Sequence, residues 1–389
     1  GGEPPRRAPR HKNVVQEIQM KTNNLFWPHV HKIFPGFPKM EPGVLQPPRE
    51  GASIGYYYFS KLLGSGSLTN VYRALDQRTS REIAMKVILK DVIQDSRQVR
   101  TLWNEWYWLS RLQHEHIVKI HDWIHTQNHV HICLEFGGPC TLGYLIQSSE
   151  SGRLRSTVAM PMVKQLADAL GYCHEFGVVH RDMRPDKIAV SDDKVMLIDF
   201  GMAAAKGAQH EVCAPGGCLP FVAPEVLLEE SHDAAIADVW SLGAVALTML
   251  CGSERVSQML ECAQLTLSRE HALRLRAFFA DPSRLAHNVE PLVEHPDVLS
   301  LLRGSLHTVP EQRLTARDIE SRLGHDGHHF RDPAGDGGER VESVELAECA
   351  EHAEYVEGER AEHVMRVDFS VSDSRDCQCK TRDPCAQDG

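Results

Sequence analysis

The sequence predicts an α+β protein of two lobes, in which a strand-rich N-terminal lobe with one helix is followed by a mainly helical C-terminal lobe. Residues 56–135 contain three stretches rich in β-branched and aromatic residues, separated by residues typical of turns. The stretches are IGYYYFSKLL, NVYRALD and EIAMKVIL. From about Thr141 the apolar residues recur with the period of an α-helix. The length of 389 residues leaves room for a two-lobed domain of roughly 250 residues with an extension at each end.

The positions of the apolar residues indicate three helices. One helix, around Val99–Leu112, interrupts the strand-rich region. In the second region, the segment STVAMPMVKQLADALGYCHEFG places four apolar side chains on one helical face: Met162, Leu166, Leu170 and Cys173. The segment AAIADVWSLGAVALTML is apolar nearly all round, which is typical of a buried central helix.

Composition and charge exclude several classes of function. The chain is 42% hydrophobic and 24% charged, as in ordinary globular proteins, and its net charge of −11 argues against nucleic-acid binding. No apolar run is expected to reach the ~18 residues of a membrane span. The eleven cysteines are scattered without a repeat spacing, which favours a reduced intracellular compartment over a disulfide framework. We therefore expect a cytoplasmic or nuclear protein that binds neither nucleic acid nor a membrane.

Composition also suggests the domain boundaries. Residues 1–55 are rich in proline and basic groups and are expected to be a partly disordered extension. Residues 56–324 would form the domain, with the lobes divided between 56–136 and 137–324. Residues 325–389 form an acidic, histidine-rich tail, part of which has the composition of either an acidic helix or a solvated segment.

The strand-rich lobe contains the first chemically informative residues. Gly64 and Gly66, in LGSGSLTNV, would let the backbone approach a phosphate without an intervening Cβ, although this pattern alone also suits a hairpin turn. Lys86 lies in the middle of an apolar strand, and a buried lysine needs an anionic partner. Glu105, on the inward face of the following helix, supplies that anion.

These pieces resemble the protein kinase family, and further motifs occur in the order of that family over residues 56–324. The motifs are HRD at His180–Asp182, DFG at Asp199–Gly201, APE at Ala223–Glu225, DVWSLG at Asp238–Gly243, and PEQRLTARD, which supplies Arg313 as a partner for Glu225. The resemblance implies the two-lobed kinase-like fold, with an antiparallel sheet and one helix in the N-terminal lobe. It also implies ATP and Mg²⁺ as cofactors and a protein as substrate.

The resemblance assigns roles to individual residues. Lys86 would hold the α- and β-phosphates, Glu105 would orient Lys86, and Asp182 would accept the proton of the substrate hydroxyl. Asp199 would be the metal ligand. Arg184 would place a positive charge near the γ-phosphate. The residues implied in nucleotide binding are Leu63, Gly64, Gly66, Val71, Ala84, Lys86, Glu135, Gly137, Lys187 and Asp199, with Leu134 beside the back of the pocket.

Four positions depart from the family pattern. Thr69 replaces the third glycine of the phosphate loop, Arg184 replaces a lysine, and Cys218 replaces a threonine. Lys187 replaces an asparagine that would ligate a second Mg²⁺, and lysine has no acceptor atom with which to do so. Loss of one preorganised electrostatic partner costs about 10²–10³ in rate. The sequence therefore predicts a slow Ser/Thr protein kinase, and the alternative is a pseudokinase that acts as a nucleotide-binding scaffold or allosteric partner.

Two further features concern regulation. The segment from Asp199 to Glu225 contains no serine, threonine or tyrosine, so activation-segment phosphorylation is not expected, and Glu211 is a candidate constitutive anion for Arg181. Three tryptophans lie on the helix of Glu105: Trp103, Trp106 and Trp108. They are explained either by packing within the lobe or by docking of the aromatic cluster at residues 26–37 or of a partner protein.

The histidines do not suggest a metal site. His129 and His131 alternate, so they share one face of a strand, but they do not offer four ligands at the spacing of a structural zinc site. We expect them on a solvated surface.

Overall fold

The computed structural model describes Val30 and residues 49–66, 68–93, 95–207, 219–228, 231–261, 267–292 and 296–325, all within one compact unit. Several sequence predictions lie outside these residues. They concern the aromatic cluster Phe26, Trp27, Phe34 and Phe37, the activation-segment residues Glu211 and Cys218, and the tail after His325. Val30 is buried, with 1% of its surface exposed, and belongs to the main hydrophobic core.

Six strands form the sheet of the N-terminal lobe, and every pair of neighbours is antiparallel. They are β1 (Ser53–Ile54), β2 (Tyr57–Ser65), β3 (Thr69–Asp76), β4 (Arg81–Leu89), β5 (Ile120–His125) and β6 (His129–Glu135). Their order in the sheet is β1-β2-β3-β4-β6-β5. A helix connects β4 to β5, which forms the edge of the sheet, and β6 then pairs between them. The strand-rich region is therefore confirmed.

That helix, α1, runs from Ser96 to Leu109, three residues earlier at each end than the sequence predicts. It begins early because the carboxylate of Asp95 accepts hydrogen bonds from the backbone N–H groups of Arg97 and Gln98. It ends at Ser110, whose N–H bonds back to Trp106 and Trp108.

The described part of the C-terminal lobe is mainly helical. Its helices are α2 (Leu142–Ser148), α3 (Ser156–Glu175), α4 (Pro224–Leu227), α5 (Ala234–Cys251), α6 (Ser253–Met259), α7 (Arg269–Phe279), α8 (Pro282–Val289), α9 (Pro296–Ser305) and α10 (Ala316–His325). Helix α3 packs against α5 and α10. The four predicted core residues of α3 are all fully buried, which confirms the face assigned from the sequence.

Short strands of the C-terminal lobe carry the loops of the site. β7 (Cys140–Thr141), β9 (Ile188–Ser191) and β10 (Lys194–Leu197) form a three-stranded sheet in the order β10-β9-β7. β8 (Val178–Val179) pairs with β11 (Ala204–Ala205). The end of β8 therefore lies beside the start of β11, and the start of β9 lies beside the end of β10. The loop between β8 and β9 and the segment between β10 and β11 are thus neighbours at both ends.

Helix α5 corrects one expectation from the sequence. It is 18 residues long with a mean hydropathy of 1.7, so its length and composition would allow it to span a membrane, contrary to the prediction that no apolar run is so long. However, 94% of this stretch is buried inside the protein. Its apolar surface is explained by packing at the centre of the helical lobe, as the sequence predicts for a central helix.

The prediction that His129 and His131 lie on a solvated surface is wrong. Their side chains share a face of β6, as predicted, but only 3% of His129 and none of His131 is exposed. His131 lies opposite Val87 on β4 and Ile124 on β5, and its ring lies 5.6 Å from that of His129. Burial lowers the pKa of His131 to about 4.

This burial predicts a pH-dependent stability. Between the unfolded pKa of about 6.5 and the folded value, the unfolded chain binds a proton on His131 that the folded chain excludes. The contribution is complete above pH 6.5 and is lost as the pH falls toward 4, by about 2 kcal/mol at pH 5. Urea unfolding at pH 7.5 and 5.0 measures it: His131→Phe should flatten the pH dependence, and His121→Phe, at an exposed position of β5, should not. An unchanged slope in His131→Phe would contradict this assignment.

Candidate active site

Lys86 and Glu105 form a buried ion pair between the sheet and α1. The Lys86 Nζ atom lies 2.7 and 2.9 Å from the two carboxylate oxygens of Glu105, and no more than 15% of either side chain is exposed. Burial disfavours the charged form of Lys86, but the carboxylates of Asp199 and Glu105 outweigh it and raise its pKa. The pairing predicted from the sequence is therefore present, and Lys86 is a permanent cation.

Asp199 lies between two lysines. Its Oδ2 atom is 3.8 Å from Lys86 Nζ and accepts a short hydrogen bond from Lys187 Nζ, while Oδ1 accepts from the backbone N–H of Gly201 at 3.0 Å. Burial alone would raise the pKa of Asp199, but the charges of Lys86 and Lys187 hold it far below its usual range. Both carboxylate oxygens are thus engaged by donors within the protein.

The β9–β10 hairpin brings Lys187 to Asp199. Ile188 pairs with Leu197, and the N–H of Ile198 donates to the carbonyl of Lys187, so the residues that flank the two strands meet at the open end of the hairpin. The sequence alone predicts that Lys187 cannot ligate a metal, but it does not reveal this contact. A hairpin prediction from IAVSDDKVMLI, with Asp192 and Asp193 in the turn, would have revealed it.

The loop after β8 is anchored from the helical lobe. The carboxylate of Asp238, on α5, accepts from the backbone N–H groups of His180 and Arg181 at 2.7 Å each, and from the His174 ring at 3.0 Å. Arg181 adopts a left-handed backbone with φ 69°, a costly conformation that these bonds stabilise. The His180 ring packs edge-on against Phe200, with 4.8 Å between centroids. This anchoring fixes the position of the residue that follows, Asp182.

Asp182 is a mostly buried carboxylate beside two cations. Burial raises its pKa to about 6, although the charges of Lys187 and Arg184 oppose the shift. Arg184 Nε lies 3.7 Å from Asp182 Oδ1, and Arg184 also donates to Asp186 at 2.7 Å. A carboxylate with this pKa is largely ionised at pH 7 and still basic enough to accept a proton in a reaction.

The wall of the predicted nucleotide pocket is one face of the sheet. The register sets Val71 opposite Lys86 and Ala84 opposite Leu134, so these four side chains lie on the same face. Leu63 and Gly64 lie near the end of β2, where Gly64 pairs with Val71.

Two backbone segments border this face: the turn after β2 and the hinge at residues 135–137, at the end of β6. Backbone hydrogen bonds and close packing fix both segments. In the turn after β2, the N–H of Gly66 donates to the carbonyl of Thr69 at 2.7 Å. Glu135 ends β6, and its N–H donates to the carbonyl of Lys119 at 2.8 Å. At Gly137 a Cβ would lie 2.8 Å from the Cβ of Ala189, so the hinge passes too close to β9 for any other residue.

Glu225 and Arg313 form a second buried pair, in the helical lobe. Arg313 donates to the two carboxylate oxygens of Glu225 at 2.6 and 3.1 Å, and no more than 1% of either side chain is exposed. The pairing predicted from the family resemblance is therefore present, and it fixes α4 against the segment before α10.

The three tryptophans of α1 each make a different contact. Trp106 packs edge-on against Trp123 of β5 at 6.5 Å, and Trp103 stacks on Tyr107 at 4.6 Å. The Trp108 indole N–H donates to the backbone carbonyl of Ala203 at 3.0 Å. These contacts support the interpretation of the tryptophans as packing residues, and a docking partner at this helix stays a prediction.

Comparison with known proteins gives the family. The sequence model of the protein kinase domain matches residues 57–323. The chain belongs to the protein kinase family. The α+β, two-lobed fold predicted from the sequence is confirmed by this match together with the antiparallel sheet and the helical lobe. Members of the family generally use ATP and Mg²⁺ and act on protein substrates.

Similar kinases occur in plants and animals. The chain is 32% identical over 206 residues to CBL-interacting protein kinase 30 of Oryza sativa subsp. japonica, covering 51% of the chain and 42% of that kinase. It is 29% identical over 280 residues to CBL-interacting protein kinase 19 of the same organism, covering 70% of the chain and 51% of that kinase. It is 30% identical over 262 residues to the SNF-related serine/threonine-protein kinase of Homo sapiens, covering 64% and 34%. The chain thus spans between a third and about half of the length of these relatives.

Proposed function

We propose that this chain is a serine/threonine protein kinase that transfers the γ-phosphoryl group of ATP to a hydroxyl group of a protein substrate. The observation that carries the proposal is the assembly of Lys86, Glu105, Asp182 and Asp199 in one site, with the Lys86–Glu105 ion pair closed. Phosphoryl transfer depends on positioning and on neutralisation of charge, and these four side chains are arranged for both. The names of its relatives support serine and threonine as the acceptors.

The side chains divide the chemistry between them. Lys86, held by Glu105, places a fixed positive charge on the face of the sheet that forms the nucleotide wall, where it would pair with phosphate oxygens. Asp182, whose pKa of about 6 leaves it ionised at pH 7, would accept the proton of the attacking hydroxyl. Arg184, 3.7 Å from Asp182, would favour the ionised form of this carboxylate by its positive charge.

The site fits one magnesium ion better than two. Mg²⁺ prefers carboxylate and phosphate oxygens, and one or two carboxylates together with the phosphates of the nucleotide are its usual ligands. Asp199 offers such an oxygen, and bound Mg²⁺ would supply charge neutralisation for the phosphates. Lys187, at the position of a second ligand, offers none. The ammonium group of Lys187 already donates to Asp199 Oδ2, so a metal held by Asp199 would share this carboxylate with a positive charge.

Lys187 therefore has two opposing effects in this proposal. Its ammonium group lies on the carboxylate that would hold the metal, so it would weaken metal binding there by charge repulsion. It also brings one positive charge to the place where a second metal charge would act, and so partly replaces it. The result is a kinase that works with a single metal and turns over slowly. We also propose a cytoplasmic or nuclear location, on the pattern of the cysteines.

The alternative is a pseudokinase that binds nucleotide without transfer, and the Lys187–Asp199 ion pair is the observation that favours it. The names of the similar proteins do not support this alternative. Two measurements separate the two functions. A thermal-shift titration with ATP, with and without Mg²⁺, tests binding, and transfer of radiolabelled phosphate to a generic protein substrate tests chemistry.

We expect ATP and Mg²⁺ to raise the melting temperature and the wild-type chain to transfer label above the level of a Lys86→Met variant. Lys86→Met removes the phosphate-facing charge but keeps a side chain of similar length in the apolar strand. Binding of ATP with transfer equal to that of Lys86→Met would establish the pseudokinase alternative. Absence of both binding and transfer would overturn the proposal altogether.

A further inference from the structure

Helix α1 makes a second set of contacts beside the Lys86–Glu105 ion pair. Asn104 Nδ2 donates to the carbonyl of Gly201 at 3.1 Å, and Trp108 Nε1 donates to the carbonyl of Ala203 at 3.0 Å. A Cβ at Gly201 would lie 2.5 Å from the Thr101 methyl carbon, so the backbone passes directly over this row of the helix. Thr101, Asn104 and Trp108 are spaced i, i+3 and i+7 and thus form one stripe.

This stripe adjoins Glu105 and meets the segment that follows Asp199. The helix therefore carries both the carboxylate that holds Lys86 and two donors that bind backbone carbonyls two and four residues after Asp199. Both carbonyls belong to the backbone, so these bonds depend on the path of the segment and not on its side chains. A shift of α1 away from both the sheet and this segment would break the ion pair and both hydrogen bonds.

The sequence of the segment makes these contacts important. In protein kinases, phosphorylation of the activation segment is one means of controlling the position of this helix and of its glutamate. Between Asp199 and Glu225 this chain has no serine, threonine or tyrosine that could accept a phosphate. Phosphorylation within this segment therefore does not control the position of α1, and the contacts that the helix makes with the backbone of the segment gain weight.

We propose that Asn104 and Trp108 are positioning residues that bind α1 to the backbone after Asp199, and so keep Glu105 on Lys86 without phosphorylation of the activation segment. The inference rests on the proposed kinase function, because it concerns the regulation of the same site. Neither side chain touches the reacting atoms; both act through Glu105 and Asp199. The chain is then constitutively assembled, and its activity is limited by Lys187 and not by a phosphorylation switch.

The test uses variants of the full chain that remove one donor each and keep the volume of the side chain. Trp108→Phe removes the indole N–H and keeps an aromatic ring, and Asn104→Leu removes the amide at similar size. We expect each to lower kcat/KM by about threefold to tenfold, the effect of one net hydrogen bond, and the double variant to lower it further. Trp103→Phe is the matched control, because Trp103 stacks on Tyr107 of the same helix.

A double-mutant cycle separates positioning from general stability. In a Glu105→Gln background, whose ion pair is already broken, Trp108→Phe should cause almost no further loss of kcat/KM. An equal loss in both backgrounds, or a loss that Trp103→Phe reproduces, would overturn the proposal. Phosphatase treatment should leave the wild-type rate unchanged, and a fall in rate would overturn the independence from phosphorylation.

A measurement without catalysis distinguishes this inference from the proposed function. Deuterium uptake by peptides from α1 and from residues 199–207 should increase in Trp108→Phe and Asn104→Leu but not in Trp103→Phe. If the wild-type chain transfers no phosphate but uptake changes in this way, the proposed function fails and the positioning role stands. Unchanged uptake in both variants overturns the positioning role whatever the activity.

Discussion

Replacement of Lys187 by asparagine is expected to raise kcat by about 10- to 100-fold. One preorganised electrostatic partner is worth about 10²–10³ in rate, and the charge of Lys187 already replaces part of it. The substitution removes the ammonium group that bonds Asp199 Oδ2 and adds an amide oxygen that can ligate a metal. The rate should also depend on Mg²⁺ in two steps, since a second and weaker site is created. Initial rates of phosphate transfer, measured over a range of Mg²⁺ at saturating ATP, test both expectations.

Lys187→Met is the matched control, because it removes the charge without supplying a ligand. If the charge of Lys187 partly replaces a second metal, Lys187→Met should turn over more slowly than the wild type. In this variant Lys86, 3.8 Å away, remains as the lysine beside the Asp199 carboxylate. An increase in Lys187→Met equal to that in Lys187→Asn would show that the lysine only blocks the site. No change in either variant would mean that Asp199 does not limit turnover.

Much of the site follows from sequence because its residues have few alternatives. A lysine in the middle of an apolar strand requires an anion, and the only carboxylate on the inward face of the next helix is Glu105; the structure joins them at 2.7 Å. The Glu225–Arg313 pair is likewise present, as the resemblance to the kinase family implies. Strands and buried helix faces follow from periodicity, as the fully buried face of α3 shows.

Other features depend on strand register and tertiary packing, which the pattern of residue types does not reveal. Lys187 meets Asp199 only because of the register of the β9–β10 hairpin, and a shift of one residue would separate them. The alternation of His129 and His131 suggests polar surface residues, yet His131 is fully buried, with Val87 and Ile124 opposite it on the neighbouring strands. The three tryptophans of α1 look alike in sequence, and the hydrogen bond of Trp108 to the carbonyl of Ala203 follows from the path of the backbone, which the sequence does not reveal.

Asp182 is the side chain whose loss should reduce transfer most. Asp182→Asn removes the proton acceptor at nearly constant shape and should lower kcat by about 10²–10⁴ while ATP still binds. Asp186→Asn, a change to an exposed carboxylate in the same loop, should have a much smaller effect. Single-turnover transfer and ATP thermal shifts measure the two quantities, and equal rate losses in the two variants would contradict the role of Asp182.

The pKa of Asp182 also predicts the pH dependence of the reaction. Burial raises this pKa to about 6, so the carboxylate is ionised above pH 6 and protonated below it. Because only the ionised form accepts a proton, kcat/KM should fall about tenfold per pH unit below 6 and level off above 7. Arg184→Gln removes a cation 3.7 Å away that favours ionisation, so it should move the midpoint upward. A midpoint unaffected by this substitution would assign the titration to a different group.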